Sequence, residues 1–273
     1  MTEDVVPERP IKAYHDRSFL DSAAARPLRI LAEYLEPRAR FDSYRISDTI
    51  VFFGSARIVS RDRAEADLDA ARAGGGDPAA AERALGMSRY YEECRELARR
   101  LTRWSKGLEE KRRRFVVCTG GGGGIMEAAN RGASEARGLN VGLGISLPHE
   151  TSGNAYITRH LAFEFHYFFM RKYWLIYLAK ALIAFPGGFG TLDEFFEVMT
   201  LVQTGKLRKH LPIVLYGRDY WDAALDLEAL VRFGTIDATD LSLFHRSDDV
   251  DDAFDFVTRE LTEKALALPG GRW

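Results

Sequence analysis

Short apolar runs alternate with helical segments from residue 49 to residue 266, and no other feature of the chain constrains its fold as tightly. Residues 49–53, 115–119, 140–147, 181–185, 211–216 and 241–245 read as strands. Residues 161–166 are a candidate for one more, feeding a helix that runs through Lys180. Helical periodicity marks 88–103, 125–137, 191–204, 220–233 and 249–266. Strands that are apolar along their whole length, each followed by a helix, are buried on both faces of a parallel sheet. The expected class is therefore α/β, a doubly wound parallel sheet with helices on both faces. In such sheets ligands bind at the carboxyl ends of the strands.

Residues 1–46 read as an N-terminal helical extension, with Leu28, Leu31 and Leu35 in helical register. Residues 47–273 show no repeat and no linker, and are read as one domain. Within it, residues 62–85 are alanine-rich and charged, and Gly74, Gly75, Gly76, Asp77 and Pro78 break them. A helix fragment and a mobile loop are expected there.

The chain has 273 residues, 46% of them hydrophobic, enough for a substantial core. Its net charge of -2 argues against an obligate polyanion binder, so no nucleic-acid partner is expected. The basic run at 111–114 admits a nucleic-acid reading, but a solvated helix end favoured by the macrodipole accounts for it. Two cysteines, Cys94 and Cys118, make no disulfide framework, and Cys118 reads as a small core residue. Residues 1–10 carry no apolar segment of the secretory kind. The most apolar stretch, 161–186, is interrupted by Glu164, His166, Arg171, Lys172 and Lys180, which argues against a membrane span. A cytoplasmic protein without a membrane partner is expected. His149, His160 and His166 are scattered, so no metal site is expected.

Two strand ends carry dense glycine. Gly120, Gly121, Gly122, Gly123 and Gly124 lie between a strand and a helix, letting backbone approach a ligand and amides face an anion. The spacing is neither a dinucleotide fingerprint nor a phosphate-binding loop ending in Gly-Lys-Ser/Thr. A tight crossover explains part of the run, though five glycines exceed what one needs. The second is Pro186-Gly187-Gly188-Phe189-Gly190-Thr191-Leu192-Asp193-Glu194. Its glycines and Thr191 suit a phosphate. A capping box between Thr191 and Glu194 is the competing explanation of those two residues. Arg171 and Lys172 stand among bulky apolar residues, where a cation is either exposed or paired, with Glu194 or a phosphate as candidate partners.

The segment Pro186 to Glu194 resembles the PGGxGTxxE signature of the Lonely Guy family, and Met170-Arg171-Lys172 resembles its Arg-Lys motif. Gly54-Ser55 and the turn from Gly120 to Met126 resemble its other two nucleotide-contacting turns. The likeness runs from about Thr49 to Gly217. Gly144 to Glu150 and Phe163 to Phe168 look more like the larger bacterial nucleosidases of the family than its short plant-type enzymes, and the extension and the 60–86 insertion depart from the short form.

The resemblance implies a Rossmann-like fold and hydrolysis of the N-glycosidic bond of a nucleoside 5′-monophosphate, AMP or a cytokinin type, to free base and ribose 5-phosphate. It implies no cofactor, and a homo-oligomer, dimer or higher. Glu194 is the candidate carboxylate for the developing ribosyl cation, with Arg171 positioning it or the substrate. Gly187, Gly188, Gly190 and Thr191 would hold the phosphate. Gly54, Ser55, Gly121, Gly122, Gly123, Met170 and Lys172 complete the expected site. Glu127 is a candidate for a ribose hydroxyl, or else a simple first-turn acid. Some relatives carry a lysine decarboxylase label, yet nothing in the chain singles out a Schiff-base lysine. A non-catalytic carrier of a nucleotide or of molybdenum cofactor is the main alternative; it would need the glycine turns but not Glu194 with Arg171.

Overall fold

The computed structural model describes residues 10–108, 110–146 and 153–270. Seven parallel strands form one sheet: β1 (Thr49–Phe53), β2 (Val116–Thr119), β3 (Asn140–Ile145), β4 (Ala162–Phe165), β5 (Ala179–Ala184), β6 (Ile213–Tyr216) and β7 (His245–Ser247). Their order is β4-β3-β2-β1-β5-β6-β7. The chain thus builds outward from β1 in one direction, then returns to its other side with β5. That reversal leaves a crevice at the carboxyl ends of β1 and β5, where ligands bind in doubly wound sheets.

The helices are α1 (Arg17–Leu20), α2 (Arg26–Ser43), α3 (Arg61–Ala70), α4 (Pro78–Lys106), α5 (Ile125–Glu135), α6 (Phe168–Tyr177), α7 (Phe189–Gln203), α8 (Arg218–Ala224), α9 (Leu227–Arg232) and α10 (Val250–Lys264). Successive strand side chains point to opposite faces and feed two cores. Ile50, Phe52, Val117, Ile183 and Val214 pack with residues of α4, α5 and α10. Val51, Phe53, Cys118, Leu182 and Leu215 pack with residues of α2, α6, α7 and α8. Both cysteines are buried and free. Among the described residues no helix is long and apolar enough to cross a membrane.

Several boundaries differ from the sequence reading, each for a local reason. The 62–85 segment is two helices rather than a fragment and a loop. Asp77 accepts a hydrogen bond from Ala79 N, and Pro78 occupies the first helical position, so α4 starts ten residues before Ser88. The helix expected through Lys180 stops at Tyr177, because Lys180 belongs to β5 and is buried. The helix expected over 220–233 splits at Leu225, whose backbone is extended, and Asp226 caps the second piece. The last strand is His245–Ser247, after a 3-10 turn at Ala238–Ser242. The 140–147 strand ends at Ile145, and Leu147, His149 and Glu150 lie outside the described residues, as do residues 1–9.

The extension turns a different face inward from the one expected. Leu28, Leu31 and Leu35 are about half exposed. The buried stripe is Ile30, Tyr34, Pro37 and Phe41, which packs on α6 through ring contacts of Tyr34 with Tyr173 and Trp174, and of Phe41 with Trp174. Glu33 accepts from His166 N at 2.8 Å and Tyr167 N at 3.2 Å, and its carbonyl accepts from Trp174 Nε1 at 3.0 Å. Part of the aromatic surplus of α6 is thus covered by the chain's own extension.

The basic run is no helix end. Arg114 is buried and paired with the buried carboxylate of Asp48, immediately before β1. Lys180 Nζ lies 3.8 Å from the other oxygen of Asp48, which also accepts from Gly270 N at 2.9 Å. Arg114 donates to the carbonyls of Leu266 and Ala265, and Lys180 to that of Leu268. One carboxylate therefore gathers the starts of β1, β2 and β5 and the carboxyl-terminal tail. Asp48→Ala leaves two buried cations without it and is expected to cost about 3–5 kcal/mol. Urea unfolding measures this; a loss under about 1 kcal/mol would contradict the clamp.

Candidate active site

Three strand ends converge at the crevice. Ser55, after β1, donates its N–H to the carbonyl of Pro186 at 2.9 Å, and its own carbonyl accepts from Ile125 N at 3.1 Å. The turn after β1 is thus stitched between the turns after β5 and β2. Close packing explains some of the glycines without a ligand. A Cβ on Gly54 would lie 2.5 Å from Ile125. One on Gly124 would lie 2.2 Å from the Ser55 carbonyl, at a φ of +64°. One on Gly187 would lie 2.1 Å from Thr191 Oγ1. Gly188 and Gly190 are different: a Cβ on either meets nothing within 4 Å, so the space beside them is open to a ligand.

The helix α7 begins at Phe189 with Gly188 as its cap residue, so no side chain caps it, and its first turn has no acid. Its first backbone bond runs from Leu192 N to the Gly188 carbonyl. The amides of Phe189, Gly190 and Thr191 therefore have no acceptor among the described residues, and a helix end of this kind suits an anion. Thr191 is the third helical residue. A capping box with Glu194 is thereby excluded, since the capping side chain must precede the helix.

Glu194 and Thr191 are buried on the inward side of α7, three residues apart and so on one face. Arg171 Nη2 donates to Glu194 Oε1 at 2.8 Å, with 15% of the arginine side chain and 4% of the glutamate side chain exposed. Glu194 Oε2 and Arg171 Nε are both buried and have no hydrogen-bond partner among the described residues. Burial raises the Glu194 carboxyl above the ordinary glutamate value, opposed by the hydrogen bond and charge of Arg171 and by the charge of Lys172. The carboxylate thus sits beside a helix end rich in free amides, held by one oxygen and free at the other.

The remaining expected residues divide. Gly121, at a φ of +80°, Gly122 and Gly123 form the turn after β2. The Ser55 hydroxyl accepts from Arg57 N at 3.1 Å and braces its own turn. Glu127, in the first turn of α5, accepts from the hydroxyl of Tyr91 at 2.7 Å. Burial and this bond push the Tyr91 hydroxyl well above its ordinary value. Lys172 is engaged by Asp193 at 2.6 Å and Glu197 at 3.0 Å, so it locks α6 to α7 instead of facing a phosphate. Met170 is buried in the core beside Trp174 and Leu175, and supports α6 from within.

Sequence reasoning missed the polar network under the first glycine turn. Thr119 donates to Asn130 at 2.7 Å, Asn130 to Asn140 at 3.0 Å, and Asn154 to Asn130 at 2.9 Å. The signal was present in Asn130, an amide among Ala128, Ala129 and Ala133 on an otherwise apolar helix face. Such a group is buried only with partners. Nothing in the sequence singles out Asn154.

A family model described as "Possible lysine decarboxylase" matches residues 126–257. Over 127 residues the chain is 30% identical to the probable cytokinin riboside 5′-monophosphate phosphoribohydrolase LOG4 of rice, Oryza sativa subsp. japonica. That match covers 46% of this chain and 53% of the rice protein, so the chain spans about half the length of this curated relative. The family-model match takes in Met170 to Lys172 and Pro186 to Glu194, the motifs that resemble the Lonely Guy family. Among solved structures, it is similar to the molybdenum cofactor carrier protein of Chlamydomonas reinhardtii at 20% identity and a TM-score of 0.45, covering 79% of this chain and 99% of that one. It is also similar to the molybdenum cofactor binding protein of the phototrophic bacterium Rippkaea orientalis at 18% identity and a TM-score of 0.43, covering 62% and 86%.

The raised value of Glu194 sets a sign. A carboxyl whose folded-state value lies above the unfolded one contributes stability at low pH, and loses it as pH rises through the folded-state value. The parent should therefore lose stability relative to Glu194→Gln as pH rises from about 4 toward neutrality. Urea titrations at several pH values measure this, and a difference that grows in the opposite sense refutes it.

Proposed function

We propose that the protein hydrolyses the N-glycosidic bond of a nucleoside 5′-monophosphate, with AMP the leading substrate and cytokinin-type monophosphates next. Water adds its hydroxyl to the anomeric carbon and its proton to the departing base, giving free base and ribose 5-phosphate. The observation that carries the reading is the buried Arg171–Glu194 pair, with a free carboxylate oxygen, on the helix whose first amides are free. The amides of Phe189, Gly190 and Thr191 take the phosphate, aided by the positive end of α7. Binding energy from the phosphate, remote from the breaking bond, holds the ribose over Glu194. The carboxylate stabilises the oxocarbenium-like transition state and orients the attacking water. Arg171 fixes the carboxylate and favours its charged form against the cost of burial.

A panel of nucleoside monophosphates, assayed for free base by chromatography, tests the activity. Binding without release at high enzyme concentration would turn the reading to a carrier. Glu194→Gln is expected to lower kcat by about a hundredfold or more, the scale of losing one charged transition-state contact, while AMP binding survives. Arg171→Ala should lose activity without adding to that loss, because both residues serve one site. A folded Glu194→Gln protein with the parental rate would remove Glu194 from the mechanism.

The same reading takes the protein to be a homo-oligomer. Phe168, Phe169 and Phe189 stay half or more exposed, at the first turns of the two helices that carry Arg171 and Glu194. Exposed aromatics so close together mark an interaction surface. Light scattering at micromolar concentration is expected to give at least a dimer, and a monomer would contradict it.

A further inference from the structure

The first glycine turn owes its orientation to a residue that lies far along the chain. Asn154 Nδ2 donates to the carbonyls of Gly121 and Gly122 at 3.2 and 2.9 Å, and Asn154 N also donates to the Gly121 carbonyl at 2.9 Å. The Asn154 side chain is itself held. Its Nδ2 also reaches Asn130 Oδ1 at 2.9 Å, and its Oδ1 accepts from Tyr156 N at 3.2 Å. Asn130 is anchored by Thr119 and Asn140, and Thr119 Oγ1 accepts from Gly121 N at 2.9 Å. The turn is thus gripped from beneath at three backbone atoms, the Gly121 N–H and the carbonyls of Gly121 and Gly122.

Peptide geometry then dictates where the amides go. In a trans peptide the carbonyl points opposite to the N–H of the next residue, and no peptide among the described residues is cis. With the carbonyls of Gly121 and Gly122 directed at Asn154, the N–H groups of Gly122 and Gly123 face away from it. Neither has an acceptor among the described residues, and both glycines are partly exposed. Two strand spacings, about 10 Å, separate this turn from the one after β5, so one phosphate does not reach both.

We propose that Asn154 is a positioning residue for substrate: acting through the glycine turn, it presents the amides of Gly122 and Gly123 to hydrogen-bond acceptors on the ribose or base end of the nucleotide. This rests on the phosphoribohydrolase reading for the identity of the ligand. The chemistry is donor-only, so a sugar hydroxyl oxygen or a ring nitrogen suits it, and an ammonium does not.

The test uses Asn154→Ala and Asn154→Asp. The aspartate keeps the shape and the acceptor for Tyr156 N, but loses both donors and sets a carboxylate against two carbonyls. Three quantities are read: thermal midpoint, KM and kcat for AMP, and the Gly122 and Gly123 amide resonances of glycine-labelled protein during AMP titration. Both variants should raise KM about tenfold or more, the scale of one to two lost hydrogen bonds, with a smaller effect on kcat. The two resonances should shift with AMP in the parent and much less in the variants. A lowered midpoint with unchanged KM and unchanged titration shifts would reduce Asn154 to a structural brace and overturn the proposal. If the parent releases no base, the catalytic reading fails, while the AMP dissociation constant by calorimetry still decides the role of Asn154. If Asn154→Ala does not fold, Asn154→Asp together with Thr119→Val, which loosens the same turn from β2, carries the test under the same criteria.

Discussion

Everything at the carboxyl edge of the sheet depends on a buried carboxylate at the amino edge. Asp48 draws Arg114, Lys180 and the tail amide of Gly270 to one point, and so fixes where β1, β2 and β5 begin relative to one another. The strands are short, at five, four and six residues; the β1–β5 register shifts once, at Lys180 itself, and from there runs regularly to Phe53 and Ala184. A slip of one residue would move a turn by about 3.3 Å and send every side chain of that strand to the wrong face. The links from Ser55 to Pro186 and from Ile125 to Ser55 tolerate no such shift. Taking charges out of water is costly, and the compensation here is geometric: three strands meet with their ends level.

The glycines show how differently the same residue is used. Gly54, Gly124 and Gly187 lie where the chain touches itself, and any side chain there would collide with protein. Gly188 and Gly190 border open space at an uncapped helix end. Glycine density alone does not separate the two uses. What separates them is whether the missing Cβ would meet the protein or solvent.

The alternation of apolar runs and helices made the parallel sheet legible, because that pattern has few other solutions. Arg171 and Glu194 were legible as a candidate pair, since a cation amid bulky apolar residues needs a partner and α7 offers a buried acid. The competing capping-box explanation fails because helix α7 starts two residues earlier than its hydrophobic pattern suggests, which puts Thr191 inside it. Lys172 and Met170 share the motif of Arg171 but follow helix geometry: successive residues point about 100° apart, so one reaches two acids on α7 and the other enters the core. Arg114 looked like part of a solvated basic run because its partner is 66 residues away. Long-range polar pairs leave no local periodicity, and for that reason Asp48, Asn140 and Asn154 were silent in the sequence.

The grip of Asn154 on the first glycine turn also orders events in time. Residues 120–124 supply the whole covalent turn, but its carbonyls acquire their orientation only when residues after β3 have docked. Thr119 and Asn130 wait on the same segment through Asn140 and Asn154. The turn after β2 therefore depends for its carbonyl orientation on a segment that follows β3 in the chain. Contacts of this span slow folding, since the loop must close before it is rewarded. The part of the chain that looks most like a ready-made local motif takes its working shape only from a residue 33 and 32 positions beyond the carbonyls it holds.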